Sequence, residues 1–160
     1  MQREYSITVR KRPAVNGDCS GRWVLMAALA LAGLADSLYL TWYHYDPAVR
    51  ACFAVGGCET VNGSRFATLG GVPVAVIGVA GYLLIAATLA ARRWGPLPLR
   101  RPARYAAYAL AAAGTAFALY LTAIEAFVLH AYCTWCLFSA TVITALTIAA
   151  AADLAFSDQA

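Results

Sequence analysis

The sequence predicts an all-α protein built into a membrane: a bundle of four spanning helices, with an outer loop that carries a short half-helix cap. Three observations lead there. The 160 residues are 62% hydrophobic and 12% charged, against about 25% charged in a soluble domain. So few charges cannot cover so much apolar sequence in water, and insertion into a bilayer resolves the imbalance. Four apolar stretches, at residues 23–43, 72–91, 105–129 and 133–152, each approach the ~20 residues that a hydrocarbon core requires. The arginines are also distributed unevenly among the connections. Basic-aromatic patches, Gly-rich phosphate loops and low-complexity tracts do not occur, which argues against nucleic-acid or nucleotide binding.

The first stretch has the basic prelude of a signal peptide. Its apolar run exceeds the ~7–15 residues of a signal core and no clear small-x-small cleavage site follows, so it reads as a span. Arg3, Arg10, Lys11, Arg12 and Arg22 precede it. Arg92, Arg93, Arg100, Arg101 and Arg104 fill the connection between the second and third spans. The first connection carries only Arg50 and Arg65, and the third carries no arginine. The positive-inside rule then puts both termini and the Arg-rich connection in the cytoplasm of a plasma (inner) membrane, with residues 44–71 and the start of the last span facing outward. The chain divides into a tail at 1–22, a four-span domain at 23–152 and a tail at 153–160. Trp42, Tyr43 and Tyr45 mark one interface and Trp94 the other, as aromatic belts do.

Within the outer loop, "GGCETVNGSRFATLGGVP" (56–73) opens with glycines that let the chain bend around Cys58. Val61, Phe66 and Leu69 then lie along the membrane surface as a half-helix or cap. Gly70-Gly71 ends it, and Pro73 suits the first turn of the next span. An ordinary polar connector is the competing reading.

The predicted orientation sorts the five cysteines. Cys19 falls on the cytoplasmic side, where thiols stay reduced. Cys52, Cys58, Cys133 and Cys136 fall on the outer side, where an even number invites disulfides. Structural staples suit them poorly: the ring between Cys52 and Cys58 is small and gains little chain entropy, and a C-x-x-C bridge at a helix start holds nothing distant together. Four thiolates binding zinc is a further reading. Exchange chemistry suits the spacing best, because the N-terminal end of a helix stabilises a thiolate and a thiol one turn away resolves a mixed disulfide. Cys133 and Cys136 share one helix face, with Cys136 roughly 4–5 Å deeper. The shallow sulfur meets loop thiols. The deeper one meets a lipid-soluble two-electron acceptor, for which a quinone is the natural candidate. The order is then partner dithiol, loop cysteines, helix cysteines, quinone.

The run "SLYL" in the first span, Cys52-x5-Cys58, "VNGSRF…LGGVPVAVIG" and "YLTAIEAFVLHAYCTWCLFSA" together resemble bacterial members of the vitamin K epoxide reductase family over about residues 22–152. The resemblance implies a four-helix bundle around a quinone (ubiquinone or menaquinone, or a vitamin K-type quinone) and an active site at the outer surface. It implies that Cys136 lies next to the quinone, that Cys133 exchanges with Cys58, and that Cys52 faces the partner. The partner implied is a separate thioredoxin-fold (DsbA-like) protein that introduces disulfides into secreted proteins. Ser64 matches the family's cap serine and Glu125 fits bacterial members; with Phe66 and Cys136 they are expected to line the quinone site. Vertebrate members carry a tyrosine where this chain has Ala140, so quinone reduction is the expected reaction, with vitamin K epoxide reduction the alternative. A structural membrane protein with stapled outer loops is the non-enzymatic alternative, and no metal is expected.

Four other residues stand out. Asp36 lies well inside the first span, where an ionisable group is costly and signals a function; pairing across the bundle or protonation would settle it. His44 and His130 sit at the outer interface, as exposed side chains or proton relays. Trp135 reads either as an interfacial anchor or as a residue that tunes packing around the two cysteines.

Overall fold

The computed structural model describes residues 16–46 and 57–157. Cys52 lies outside the described residues, as do the basic residues at 3–12 and the side chain of Cys19. Four helices carry the architecture: α1 (Asn16–Tyr45), α3 (Val74–Trp94), α4 (Leu97–Ile124) and α5 (Thr134–Ser157). Each contains a segment long and apolar enough to cross a membrane: Gly21–Tyr45, Val74–Trp94, Leu97–Leu129 and Thr134–Phe156. The expected all-α four-span bundle is therefore the fold, and the chain is a multi-pass membrane protein. Large side chains such as Leu31, Trp94, Leu119 and Ile148 point outward, as lipid-facing positions of such a bundle do.

Helix α1 packs against α3 and α5, and α4 packs against the same two. The four thus close a ring around a shared interior. One half of that interior is filled by Met26 and Ala30 of α1, Ile85 and Leu89 of α3, Ala107 and Ala111 of α4, and Leu146 and Ala150 of α5. The alanines of α4 recur every four residues, so one narrow stripe of that helix approaches its neighbours closely.

At this end three arginines meet one acid. Asp153 of α5 is buried and binds Arg92 of α3 at 2.7 Å, with Arg22 of α1 at 3.8 Å and Arg104 of α4 at 4.0 Å. One carboxylate thereby ties together all four helices. The arginine-rich connection is shorter than the hydropathy pattern suggests. Helix α4 begins at Leu97, so Arg100, Arg101 and Arg104 are helical, and Gly95 and Pro96 alone make the turn. Arginine is a good helix former, and Pro98 is tolerated in a first turn whose N–H groups have no helical partner.

The other end carries the cap. Helix α2 (Cys58–Asn62) leads into a single 3-10 turn at Arg65–Ala67, then into a two-residue antiparallel pair, β1 (Thr68–Leu69) and β2 (Val72–Pro73). Gly70 and Gly71 join the strands with φ of +60° and +85°, values that glycine adopts without a steric penalty. The predicted cap and its glycine ending are both present, and α3 starts directly after Pro73.

Candidate active site

Cys133 immediately precedes α5, and its carbonyl accepts from Leu137 N–H at 3.0 Å, closing the first turn. Its sulfur accepts from the backbone N–H of Cys136 at 3.4 Å. The thiol thus takes the place of an N-cap oxygen, receiving the N–H three residues on. A sulfur there faces unpaired N–H groups and the positive end of the helix dipole. The Cys133 thiol is held below its usual range, chiefly by its hydrogen bond with the Cys136 side chain and then by the N–H groups of Cys136 and Trp135. Burial and the nearby Glu125 charge oppose this and are outweighed.

The cap covers this sulfur. Cys133 is fully buried and clusters with Cys58 and Tyr43, with Val61, Trp135 and Cys136 packed around them. The sulfur expected to be shallow is covered by α2 and sealed from solvent. Cys58 is in a disulfide, whereas Cys133 and Cys136 are free thiols. Asn62, one turn after Cys58, donates to the Cys58 carbonyl at 3.0 Å and to the Cys133 sulfur at 3.7 Å. Its amide links the cap to the dithiol. In the sequence Asn62 is one member of the run "VNGSRF", and only its i+4 spacing from Cys58 points to this contact.

Glu125 organises the same turn from below. It is buried, and its Oε2 accepts from the Cys133 backbone N–H at 3.0 Å, while its carboxyl also hydrogen-bonds the Cys136 thiol. It opens a π-helical turn, Glu125–Leu129, that ends α4. Wider turns of this kind are rare and recur at functional sites. His130 follows with φ 49° and ψ 34°, a left-handed conformation uncommon outside glycine, and its N–H closes onto Glu125 O. The extra residue in the turn and the reversal at His130 aim the Glu125 side chain at the two cysteines. His130 is exposed and serves through its backbone.

Cys136 points the other way, into a cavity of ≈ 350 Å³ lined by the four helices and the cap. Cys133 is not among its lining residues. The cap contributes Asn62, Ser64 and Phe66, α1 contributes His44, and Glu125 lines it too. Ser64 caps the 3-10 turn, accepting from Phe66 N–H at 3.3 Å and donating to Val61 O at 2.8 Å. Its hydroxyl therefore shapes the cap while facing the cavity. All four residues expected at the quinone site (Cys136, Ser64, Phe66 and Glu125) thus line one space. Cys58 and Cys133 adjoin it beneath the cap. Trp135 packs on Tyr39 with ring centroids 4.8 Å apart, so it clamps the dithiol turn to α1.

The cavity falls within the ~300–1,000 Å³ of small-molecule sites, which are mostly apolar with a few placed polar groups. A thiol one turn along a helix from a stabilised sulfur, opening onto such a space, can pass electrons from a disulfide-forming pair to a bound acceptor. The family model described as "Vitamin K epoxide reductase family" matches residues 24–151, from the start of the first span to the end of the fourth.

Proposed function

The chain belongs to the vitamin K epoxide reductase family, an oxidoreductase family, and from that premise we propose that it is a quinone-dependent thiol:disulfide oxidoreductase. It reoxidises a separate thioredoxin-fold, DsbA-like protein on the outer face of the plasma membrane and so supports disulfide formation in secreted proteins. The observation that carries this reading is the division of labour between two sulfurs three residues apart. Cys136 opens onto the cavity, and Cys133 turns away from it into contact with Cys58.

The sequence of steps follows from that placement. The partner's dithiol reduces the loop disulfide that contains Cys58, with Cys52 as the partner-facing thiol. Cys58 thiolate then attacks the Cys133–Cys136 disulfide at Cys133, forming a Cys58–Cys133 mixed disulfide and releasing Cys136; Cys52 next attacks Cys58, re-forming the loop disulfide and releasing Cys133, whose thiolate the helix start and Asn62 N–H stabilise. Cys133 and Cys136 are thereby left as the reduced pair. Glu125 holds the Cys136 thiol and the Cys133 N–H, fixing the turn and holding or accepting the thiol proton. The cavity residues fit a quinone headgroup, with apolar walls from α3 and α4 and hydroxyl, amide and thiol groups from the cap and α5. Bound there, a quinone (ubiquinone or menaquinone type) supplies the two-electron acceptor. The cap excludes water from the Cys133 sulfur and so protects the pair from hydrolytic and oxidative side reactions.

The test is quinol formation by purified protein given a quinone and a reduced thioredoxin-fold dithiol. The proposal expects turnover that Cys136→Ala abolishes. Quinol no faster than in that variant contradicts it.

A further inference from the structure

A second polar group stands behind the wall of the same cavity. Asp36, about two-thirds of the way along α1, is 4% exposed. Neither of its carboxyl oxygens meets a hydrogen-bond partner in full geometry, and the side chain of Ser139 is the polar group it interacts with. Among the described residues no cation pairs with it. Around it the packing is specific. Tyr82 of α3 lies where a Cβ on Gly33 would stand, one turn before Asp36, so only glycine lets that ring in. The Tyr82 hydroxyl donates to Ser139 O at 3.5 Å and lies within the electrostatic reach of Asp36. Ser37, Tyr82 and Ser139 all line the cavity. Asp36 stands directly behind them.

Ser139 follows Cys136 by three residues and faces the same cavity, a rise of about 4.5 Å along α5. That is comparable to the breadth of one six-membered ring with oxygens at opposite corners. The cavity therefore presents a thiol and Glu125 at one end of such a ring and a hydroxyl cluster backed by a carboxyl at the other. This inference rests on the proposed quinone reduction.

We propose that Asp36, acting through Ser139 and Tyr82, supplies the proton for the quinone oxygen that lies away from the cysteines. The balance of the reaction calls for such a group. Converting a quinone to a quinol takes two electrons and two protons. Forming the Cys133–Cys136 bond releases two electrons, but Cys133 reacts as a thiolate whose proton has already gone to solvent. The pair therefore brings one proton, from the Cys136 S–H bond, which Glu125 adjoins. The second is transferred from the Asp36 carboxyl along the Ser139 hydroxyl, leaving an Asp36 carboxylate. Asp36 regains its proton from solvent once the cavity empties, matching the one that Cys133 released. A carboxyl buried in a span without a cation is costly as an anion and persists as an acid. Asp36 is a positioning residue that holds a proton; Ser139 is the group in contact with the ligand.

The test uses the full-length protein in lipid nanodiscs with a short-chain benzoquinone. Asp36→Asn should slow single-turnover quinol formation by the pre-reduced protein by about 10²-fold, the lower end of what a placed general acid contributes. Asp36→Glu should recover most of that loss, and Ser139→Ala, a change with little risk to folding, should slow the same step. Infrared spectra of the quinone-free protein should show a protonated-carboxyl stretch that Asp36→Asn removes and Ser139→Ala retains. Wild-type rates in both Asp36→Asn and Ser139→Ala would overturn the proposal, as would the absence of an Asp36 acid band. Wild-type protein that reduces no quinone would instead overturn the underlying function, and this inference with it.

Discussion

Gly57 offers a sharp probe of the contact between cap and dithiol. A Cβ built on Gly57 would stand 2.5 Å from Tyr132 O and 2.8 Å from Tyr132 N, both backbone atoms next to Cys133. Ordinary contact begins at 3.4 Å, so Gly57→Ala must move the start of α2 by about 0.9 Å or displace the backbone that presents Cys133. Cys58 is the next residue and moves with it. Misplacing reacting atoms by about 1 Å costs on the order of 10²-fold in rate, and overpacking costs about 1–3 kcal/mol in stability. Two assays separate the effects. Turnover driven by a reduced thioredoxin-fold dithiol passes through Cys58 and should fall about 10²-fold. Single-turnover quinone reduction by protein already reduced at Cys133 and Cys136 bypasses Cys58 and should stay near wild type. Full turnover in Gly57→Ala would refute the reasoning, because the cap contact would then be dispensable for exchange. An equal loss in both assays would refute it too, because the damage would then be general.

Other perturbations read out the remaining parts. Attack of the Cys133 thiolate on the disulfide that contains Cys58, the reverse of the productive exchange, should stay fast below the ordinary thiol value of about 8.5, falling only as pH drops through the lowered Cys133 value. Because the Glu125 charge opposes the thiolate, Glu125→Gln should carry that profile to still lower pH; a shift to higher pH contradicts the electrostatics. Cys136→Ala should accumulate a Cys58–Cys133 disulfide, seen by non-reducing peptide mapping. It should form more slowly at neutral pH, because the strongest stabiliser of the Cys133 thiolate is gone. Cys133→Ala should leave Cys136 facing the cavity and give a charge-transfer band with added quinone, and a colourless complex at high pH counts against that placement. Asp153→Asn removes the carboxylate that binds the buried Arg92 at 2.7 Å and should cost about 3 kcal/mol in thermal or denaturant unfolding, with an unchanged unfolding midpoint as the contrary result.

Local chemistry made much of this legible in the sequence. Four spans follow from hydropathy alone, and the cap's end follows from the paired glycines at 70 and 71. The position of Cys133 at the head of a helix followed from the apolar run after "YCTWC". The convergence of Cys136, Ser64, Phe66 and Glu125 on one cavity was legible only through the family resemblance, since no periodicity relates a loop serine to a residue some sixty positions on. Three features stayed hidden from a reading of hydropathy and motifs. The π turn at Glu125–Leu129 has no compositional signature, and only the left-handed His130 and its hydrogen bonds reveal it. The arginines at 100, 101 and 104 look like a loop to a hydropathy window, yet they are good helix formers and one of them reaches Asp153. Asn62 sits in a polar run, and its amide gains meaning only when Cys133, 71 residues away, is folded against it.

The most direct test of the central claim is an anaerobic titration of fully reduced protein with a quinone, counting quinol formed against disulfide formed between Cys133 and Cys136. The account predicts one quinol per Cys133–Cys136 disulfide, with neither product in Cys136→Ala. Quinol formation that persists in Cys136→Ala, or a Cys133–Cys136 disulfide that forms without quinol, would contradict it.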